Sequence, residues 1–161
     1  GYQERLQQIF MECSRVLKPD GICVFTYHHK LASAWDALGM ALLHSGLSVT
    51  KVLPMRGEGQ GGLHTYDGTI KWDAVLVCRK KSGVIKGGVP VISETAFKDT
   101  ILEADSHFEV LSTHKRIGFK IPDFTNLARA LVVSRSFLGE ADASTRPMSN
   151  ALKNIPTPGE L

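Results

Sequence analysis

The chain has 161 residues, of which 43% are hydrophobic and 22% charged, and its net charge is +3. That is the composition of an ordinary globular protein with enough apolar material for a real core. The charge permits a phosphate-facing surface, but it is too small to mark a self-sufficient nucleic-acid binder. No run approaches the roughly 18 apolar residues that cross a bilayer, so no membrane partner is expected. There is no signal-peptide pattern either. Cys13, Cys23 and Cys78 are widely spaced and include no C-x-x-C pair. Neither a zinc site nor a disulfide framework is expected from them. Cysteines in apolar runs read as buried thiols in a reducing compartment, and a cytoplasmic location is expected.

Leu6, Ile9, Phe10, Cys13, Val16 and Leu17 recur at helical spacing, separated by polar residues. They predict an amphipathic helix almost from the first residue. The chain opens on Gly1 and runs into this helix like a chain already under way. Lys18-Pro19-Asp20-Gly21 stops the helix with a turn. Ile22 to Tyr27 is continuous, β-branched and aromatic, and predicts a strand of the parallel type, buried on both faces. Ser33 is the expected cap of a second helix, with Asp36 in its first turn and Trp35, Leu38 and Leu42 on its apolar face. Gly46 ends that helix as a left-handed residue. A strand from Leu47 to Leu53 is closed by Pro54. Residues 55–71 form a Gly-rich loop, and Ala74 to Cys78 is another buried-type strand ended by Arg79-Lys80-Lys81. Helices alternating with buried strands give an α/β layered fold. The last two strands have no helix between them and are expected as an antiparallel pair at the sheet edge.

The character changes after Lys81. Residues 82–90 read as a Gly-rich linker. Ser93 to Ala104 predicts a helix with Ala96, Phe97, Ile101 and Leu102 inward, and Phe108 to Leu111 a short strand. Pro122-Asp123 opens a third helix with Leu127, Ala130, Leu131 and Leu138 on one face. From Gly139 onward the chain is rich in Ser, Pro, Asn and Thr and reads as disordered. The expected division is therefore 1–81, then 82–139 as a linker and small, mostly helical appendage, then a disordered tail over 140–161.

Arg15-Val16-Leu17-Lys18-Pro19-Asp20-Gly21, followed by the strand to Tyr27, resembles the unit leading into the fifth strand of class I methyltransferases. The series continues with His28-His29-Lys30, Ala34-Trp35-Asp36-Ala37-Leu38, Ser45 to Thr50, Pro54, Glu58 and Asp73 to Lys80. Residues 2 to 81 together resemble the C-terminal half of bacterial and archaeal adenine-specific DNA methylase-like proteins. The resemblance implies the C-terminal portion of a Rossmann-like sheet, with the Ile22 strand beside a hairpin of the Leu47 and Ala74 strands. It implies S-adenosyl-L-methionine as cofactor, DNA as partner and an exocyclic base nitrogen, adenine N6 or cytosine N4, as acceptor. A class I methyltransferase for RNA, protein or a small molecule shares the leading unit. A non-catalytic binding module is the alternative outside enzymes.

Methylating a base nitrogen requires the base to leave the stack and be held in line with the methyl group. The family does this with an Asp/Asn/Ser-Pro-Pro-aromatic loop and holds the cofactor on a Gly-rich turn after its first strand. This sequence contains no Pro-Pro dipeptide. Gly57-Glu58-Gly59-Gln60-Gly61-Gly62 spells G-x-G-x-x-G but leads to a strand, whereas the motif counts where a strand turns into a helix. The cofactor and catalytic motifs are therefore expected upstream of Gly1, and the chain alone is expected to be inactive. Tyr27, His28 and His29 leave a strand at the edge where α/β sheets bind ligands. They are candidates for the target-base pocket, set against a plain polar strand exit. Adjacent histidines on a strand point to opposite faces, so no shared metal is expected. Arg56, Trp72, Arg79 and Lys80 are candidates for DNA contact through phosphate or base stacking, set against solvated loop and strand ends. Trp35 reads as core packing.

Overall fold

The computed structural model describes residues 1–57, 68–82, 87–116 and 118–161. The first helix, α1 (Tyr2–Val16), turns Leu6, Phe10 and Leu17 toward the core, and the Phe10 ring tilts against Phe25 at 5.2 Å. Ile9 and Val16, expected on the same face, stay exposed. The turn that stops α1 is closed by Gly21 N–H donating to the Lys18 carbonyl at 2.9 Å.

Three strands follow: β1 (Ile22–Tyr27), β2 (Leu47–Arg56) and β3 (Trp72–Lys80), with α2 (Ala32–His44) between the first two. They form one sheet in the order β1-β3-β2, and β3 is antiparallel to both neighbours. β1 and β2 thus run the same way, with β3 inserted between them. Opposed residues share a face: Cys23, Phe25 and Tyr27 meet Cys78, Leu76 and Ala74. Val49, Val52 and Pro54 of β2 meet the same three. A bulge between Val49 and Lys51 keeps Val49 and Val52 on one face despite their odd spacing. Trp35, Leu38, Ala41 and Leu42 of α2 join this face in one core cluster, with Trp35 edge-on to Tyr27. The helix begins at Ala32 with Leu31 as its cap residue, so Ser33 does not cap it. Gly46 takes the expected left-handed backbone, φ 72°. Pro54 lies inside β2 rather than closing it, which an edge strand tolerates.

Among the described residues no helix covers the opposite face, which is open at its edges. Ile22 and Val24 are each 50% exposed, and Leu53 and Met55 are exposed beside them. β1 is therefore not the doubly buried, parallel-paired strand expected from its composition. Among the described residues it pairs with β3 alone, and the helices gather on the Cys23–Phe25–Tyr27 side. The register also places Cys23 opposite Cys78. All three cysteines are free. Burial pushes the Cys78 thiol up to about 12 and raises Cys23 as well, so both stay protonated.

A second sheet holds β4 (Val89–Ser93) between β5 (Phe137–Gly139) and β6 (Thr145–Pro147), all antiparallel. Around it run α3 (Glu94–Ser112), α4 (Ile121–Arg135) and α5 (Met148–Lys153). Ser93 caps α3 by accepting the Ala96 N–H at 3.0 Å. The strand expected at Phe108–Leu111 is the last part of α3. Phe97, Ile101, Ala104, Phe108 and Leu111 continue one helical stripe, and Phe108 packs on Phe119 and Phe124. Leu138, expected on α4, belongs to β5.

The C-terminal segment differs most from expectation. Residues 140–161 carry β6 and α5, and Met148, Ala151 and Leu152 are fully buried. The segment has few apolar residues, but these three fall on one helical face. Gly39 of α2 admits them, since a Cβ there would lie 2.7 Å from the Met148 Sδ. One core cluster runs from Phe10 to Leu152, so the core does not divide at residue 81. The chain is a mixed α/β protein with two three-stranded antiparallel sheets and five helices among the described residues. None of those helices is long and apolar enough to cross a membrane.

One pH effect arises at the α2–α5 contact. Burial raises the Asp36 carboxyl above its usual range, and Lys153 of α5 partly offsets this. A raised folded-state pKa means that stability is gained as pH falls through it and lost as pH rises. Asp36→Asn is expected to melt higher than the parent at neutral pH and to lack the parent's gain on mild acidification. Thermal melts at both pH values check this. A variant that melts lower at neutral pH would show that the Lys153 pairing outweighs burial.

Candidate functional site

The candidate site lies where β1 ends, β2 ends and β3 begins. Helix α4 ties the end of β1 to the start of β3, and Gly57 N–H, donating to the Lys71 carbonyl at 2.9 Å, brings in the end of β2. Asp123 is 1% exposed, and Pro122 fixes the first turn in front of it. One Asp123 carboxylate oxygen accepts the Lys120 N–H at 2.9 Å and so caps α4. The other accepts the N–H groups of Lys71 at 2.7 Å and Trp72 at 2.9 Å. One turn on, Asn126 is equally buried. Its side-chain oxygen accepts the His29 N–H at 3.2 Å, and its amide donates to the carbonyls of Tyr27 and Trp72. Another turn on, Arg129 donates to the carbonyls of Lys30 at 2.8 Å and Leu152 at 3.1 Å. Burial lowers the pKa of this guanidinium.

The segment after β1 is thereby fixed in space. The indole N–H of Trp35 donates to the His29 carbonyl at 3.2 Å. The Leu31 N–H donates to His29 Nδ1 at 3.0 Å, which leaves the proton of neutral His29 on Nε2. His28 turns the other way and meets the Asp73 carboxylate, Nδ1 to Oδ1, at 2.5 Å. Two cavities flank the segment and share His29, Lys30 and Ile70. One, of about 320 Å³, is completed by Pro122, Thr125 and Arg129 among others. The other, of about 440 Å³, is completed by His28, Leu31 and Thr69.

Of the three pocket candidates, His28 and His29 line cavities. Tyr27 lines neither cavity. Its ring stands edge-on to Trp35 at 4.8 Å and its hydroxyl meets that of Tyr2 at 2.9 Å. Burial, with Tyr2 adding to it, raises the Tyr27 phenol pKa. Trp35 is fully buried core. Arg56 and Trp72 reach the site's end of the sheet, where Arg56 donates to the Arg116 carbonyl at 2.7 Å. Trp72 packs edge-to-face on Phe119 at 5.5 Å. Arg79 and Lys80 sit at the far end of β3, about 23 Å away at ~3.3 Å per residue. There Arg79 donates to the Asp20 carbonyl at 3.2 Å. The DNA-contact candidates thus fall at two ends of one strand. Glu58 and the rest of the G-x-G-x-x-G run after Gly57 lie outside the described residues.

S-adenosylmethionine does not fit the residues seen here. Its cradle is a Gly-rich turn from strand to helix. The β1–α2 connection is His28-His29-Lys30-Leu31, without glycine, and Gly57 bonds back to Lys71 across the β2–β3 hairpin. Among the described residues no group of three or more His, Cys, Asp or Glu side chains is placed to hold a metal ion.

Comparison with protein-family models, with curated proteins and with solved structures finds no match to this chain. The site therefore stands on its own geometry. Asp123, Asn126 and Arg129 are the residues that sequence reasoning passed over, Asp123 having been read only as a helix opener. Their signal was a row of Asp, Asn and Arg at three-residue spacing beside the buried Phe124, Leu127, Ala128 and Leu131.

Proposed function

We propose that this chain is the substrate-facing C-terminal part of an S-adenosylmethionine-dependent methyltransferase that acts on an exocyclic amino group of DNA, adenine N6 or cytosine N4. The observation that carries the reading is the strand order β1-β3-β2 with α2 joining β1 to β2. It is the arrangement of the Ile22 strand beside the Leu47–Ala74 hairpin that the resemblance implies. The cavities beside His29 add support, because they open past the C-terminal end of β1, where α/β sheets take ligands.

In this reading His28 and His29 border the extruded base, and the stapled β1 exit gives the fixed positioning that the reaction needs. The cofactor and the loop that binds the amino group belong to other parts of the parent enzyme. The purified chain is accordingly expected to transfer no methyl group from labelled cofactor to DNA, and clear transfer would overturn that assignment. Sequencing the DNA immediately upstream of the Gly1 codon tests the parentage. An open frame with a Gly-rich strand-to-helix turn and an Asp/Asn-Pro-Pro-aromatic loop supports it. A stop codon followed by a nearby start removes it.

One observation favours a second reading, a non-catalytic binding module. One core cluster takes in residues from Phe10 to Leu152 and joins both sheets, so these residues pack as one unit.

A further inference from the structure

Arg129 is partly buried on α4, and both of its hydrogen bonds go to neutral carbonyls. Among the described residues its Nη2 has no hydrogen-bond partner. Among the described residues no carboxylate lines the 320 Å³ cavity that Arg129 borders, whereas Lys30 lines it too. His29, with Nδ1 occupied by the Leu31 N–H, keeps Nε2–H as a donor at the same wall. The remaining wall includes Ile70, Ile121 and Pro122. Among the described residues, two cations and one donor therefore line a cavity that has apolar Ile70, Ile121 and Pro122 in its wall and no carboxylate.

A guanidinium drawn out of water without an anion is unfavourable. Its lowered pKa reflects the same cause, burial. A guanidinium with a free N–H edge, beside an ammonium, matches the oxygens of a phosphate. The apolar wall matches a ring or other hydrophobic group attached to that phosphate.

We infer that this cavity binds a phosphate ester, its phosphate held by Arg129 and Lys30 and its organic part lying against Ile70 and Pro122. The ester belongs either to a nucleic-acid strand or to a free nucleotide. The DNA reading bears only on that choice, and the charge argument stands without it.

The test titrates the whole chain with a short single-stranded deoxyadenylate oligonucleotide by fluorescence anisotropy, and with deoxyadenosine monophosphate by calorimetry. Lys30→Gln is the main variant because its side chain is exposed and its carbonyl, which holds Arg129, is retained. Arg129→Gln is the second, and Lys98→Gln on exposed α3 controls for net charge. Lys30→Gln is expected to weaken oligonucleotide binding about tenfold and to lower the salt slope by about one. Lys98→Gln should bind like the parent. Tighter binding of the oligonucleotide than of the monophosphate assigns the ester to a strand. Equal binding of the two, still dependent on Lys30, keeps the site and assigns it to a free nucleotide. Saturable binding of neither ligand, or binding unchanged in Lys30→Gln, overturns the inference. The methyltransferase reading fails separately, on the upstream sequence.

Discussion

Replacing Asp123 by alanine is expected to lower the unfolding free energy by about 3–5 kcal/mol, a large share of the 5–15 kcal/mol typical of a domain. The carboxylate is 1% exposed and accepts three backbone N–H groups, from Lys71, Trp72 and Lys120. Alanine leaves all three without an acceptor. An orphaned buried N–H costs about 1–3 kcal/mol, and loss of a helix cap alone costs about 1 kcal/mol. The three bonds share one side chain, so their costs do not simply add. Asp123→Asn should be milder, at about 1–2 kcal/mol, because its carbonyl oxygen still serves Lys71 and Trp72 while its NH₂ faces the Lys120 N–H. Urea unfolding followed by tryptophan fluorescence reads both variants, since Trp72 lies beside the bonds being cut. An Asp123→Ala variant within about 1 kcal/mol of the parent would mean that water replaces the carboxylate and that α4 does not hold the sheet end.

What the sequence disclosed follows the range of the forces involved. α1, its Pro-Gly stop, β1, α2 and Gly46 are set by local pattern, and each lies where it was expected. The exposure of β1 was not legible. Ile22-Cys23-Val24-Phe25 carries no alternation, so its sequence cannot say which face is left bare. The placement of the helices decides that. His28 and His29 were legible because they directly follow a strand. Their support was not, because its partners are distant in the chain: Asp123 reaches Lys71 across 52 residues, and Asn126 reaches Tyr27 across 99. Phe108 to Leu111 was misread for a related reason. A four-residue apolar piece fits strand and helix alike, and only the stripe begun at Phe97 resolves it.

Composition misled most at the C-terminus, and there the second large effect is expected. Deleting residues 141–161 should abolish cooperative unfolding. The deletion removes Met148, Ala151 and Leu152, all fully buried, and strips β6 from β4 along Val91, Ile92 and Ser93. It also removes Arg146, which makes a two-point contact with Glu94 and lies over the Phe97 ring at 4.2 Å. Single Met→Ala or Leu→Ala changes in a core cost about 2–5 kcal/mol each, so the deletion exceeds what a domain of this size has to lose. Met148→Ala alone should cost about 2–4 kcal/mol, since it opens a void against Gly39. A disordered tail would behave in the opposite way, and its removal would leave the melt unchanged. Circular dichroism melts of the deletion and of Met148→Ala separate the two cases, and slow amide exchange at Leu152 would locate the protection. The outcome reaches the candidate site as well. The Leu152 carbonyl is one of two groups that fix Arg129, so a deletion that melts like the parent would remove α5 from the core and the anchor from the cavity together.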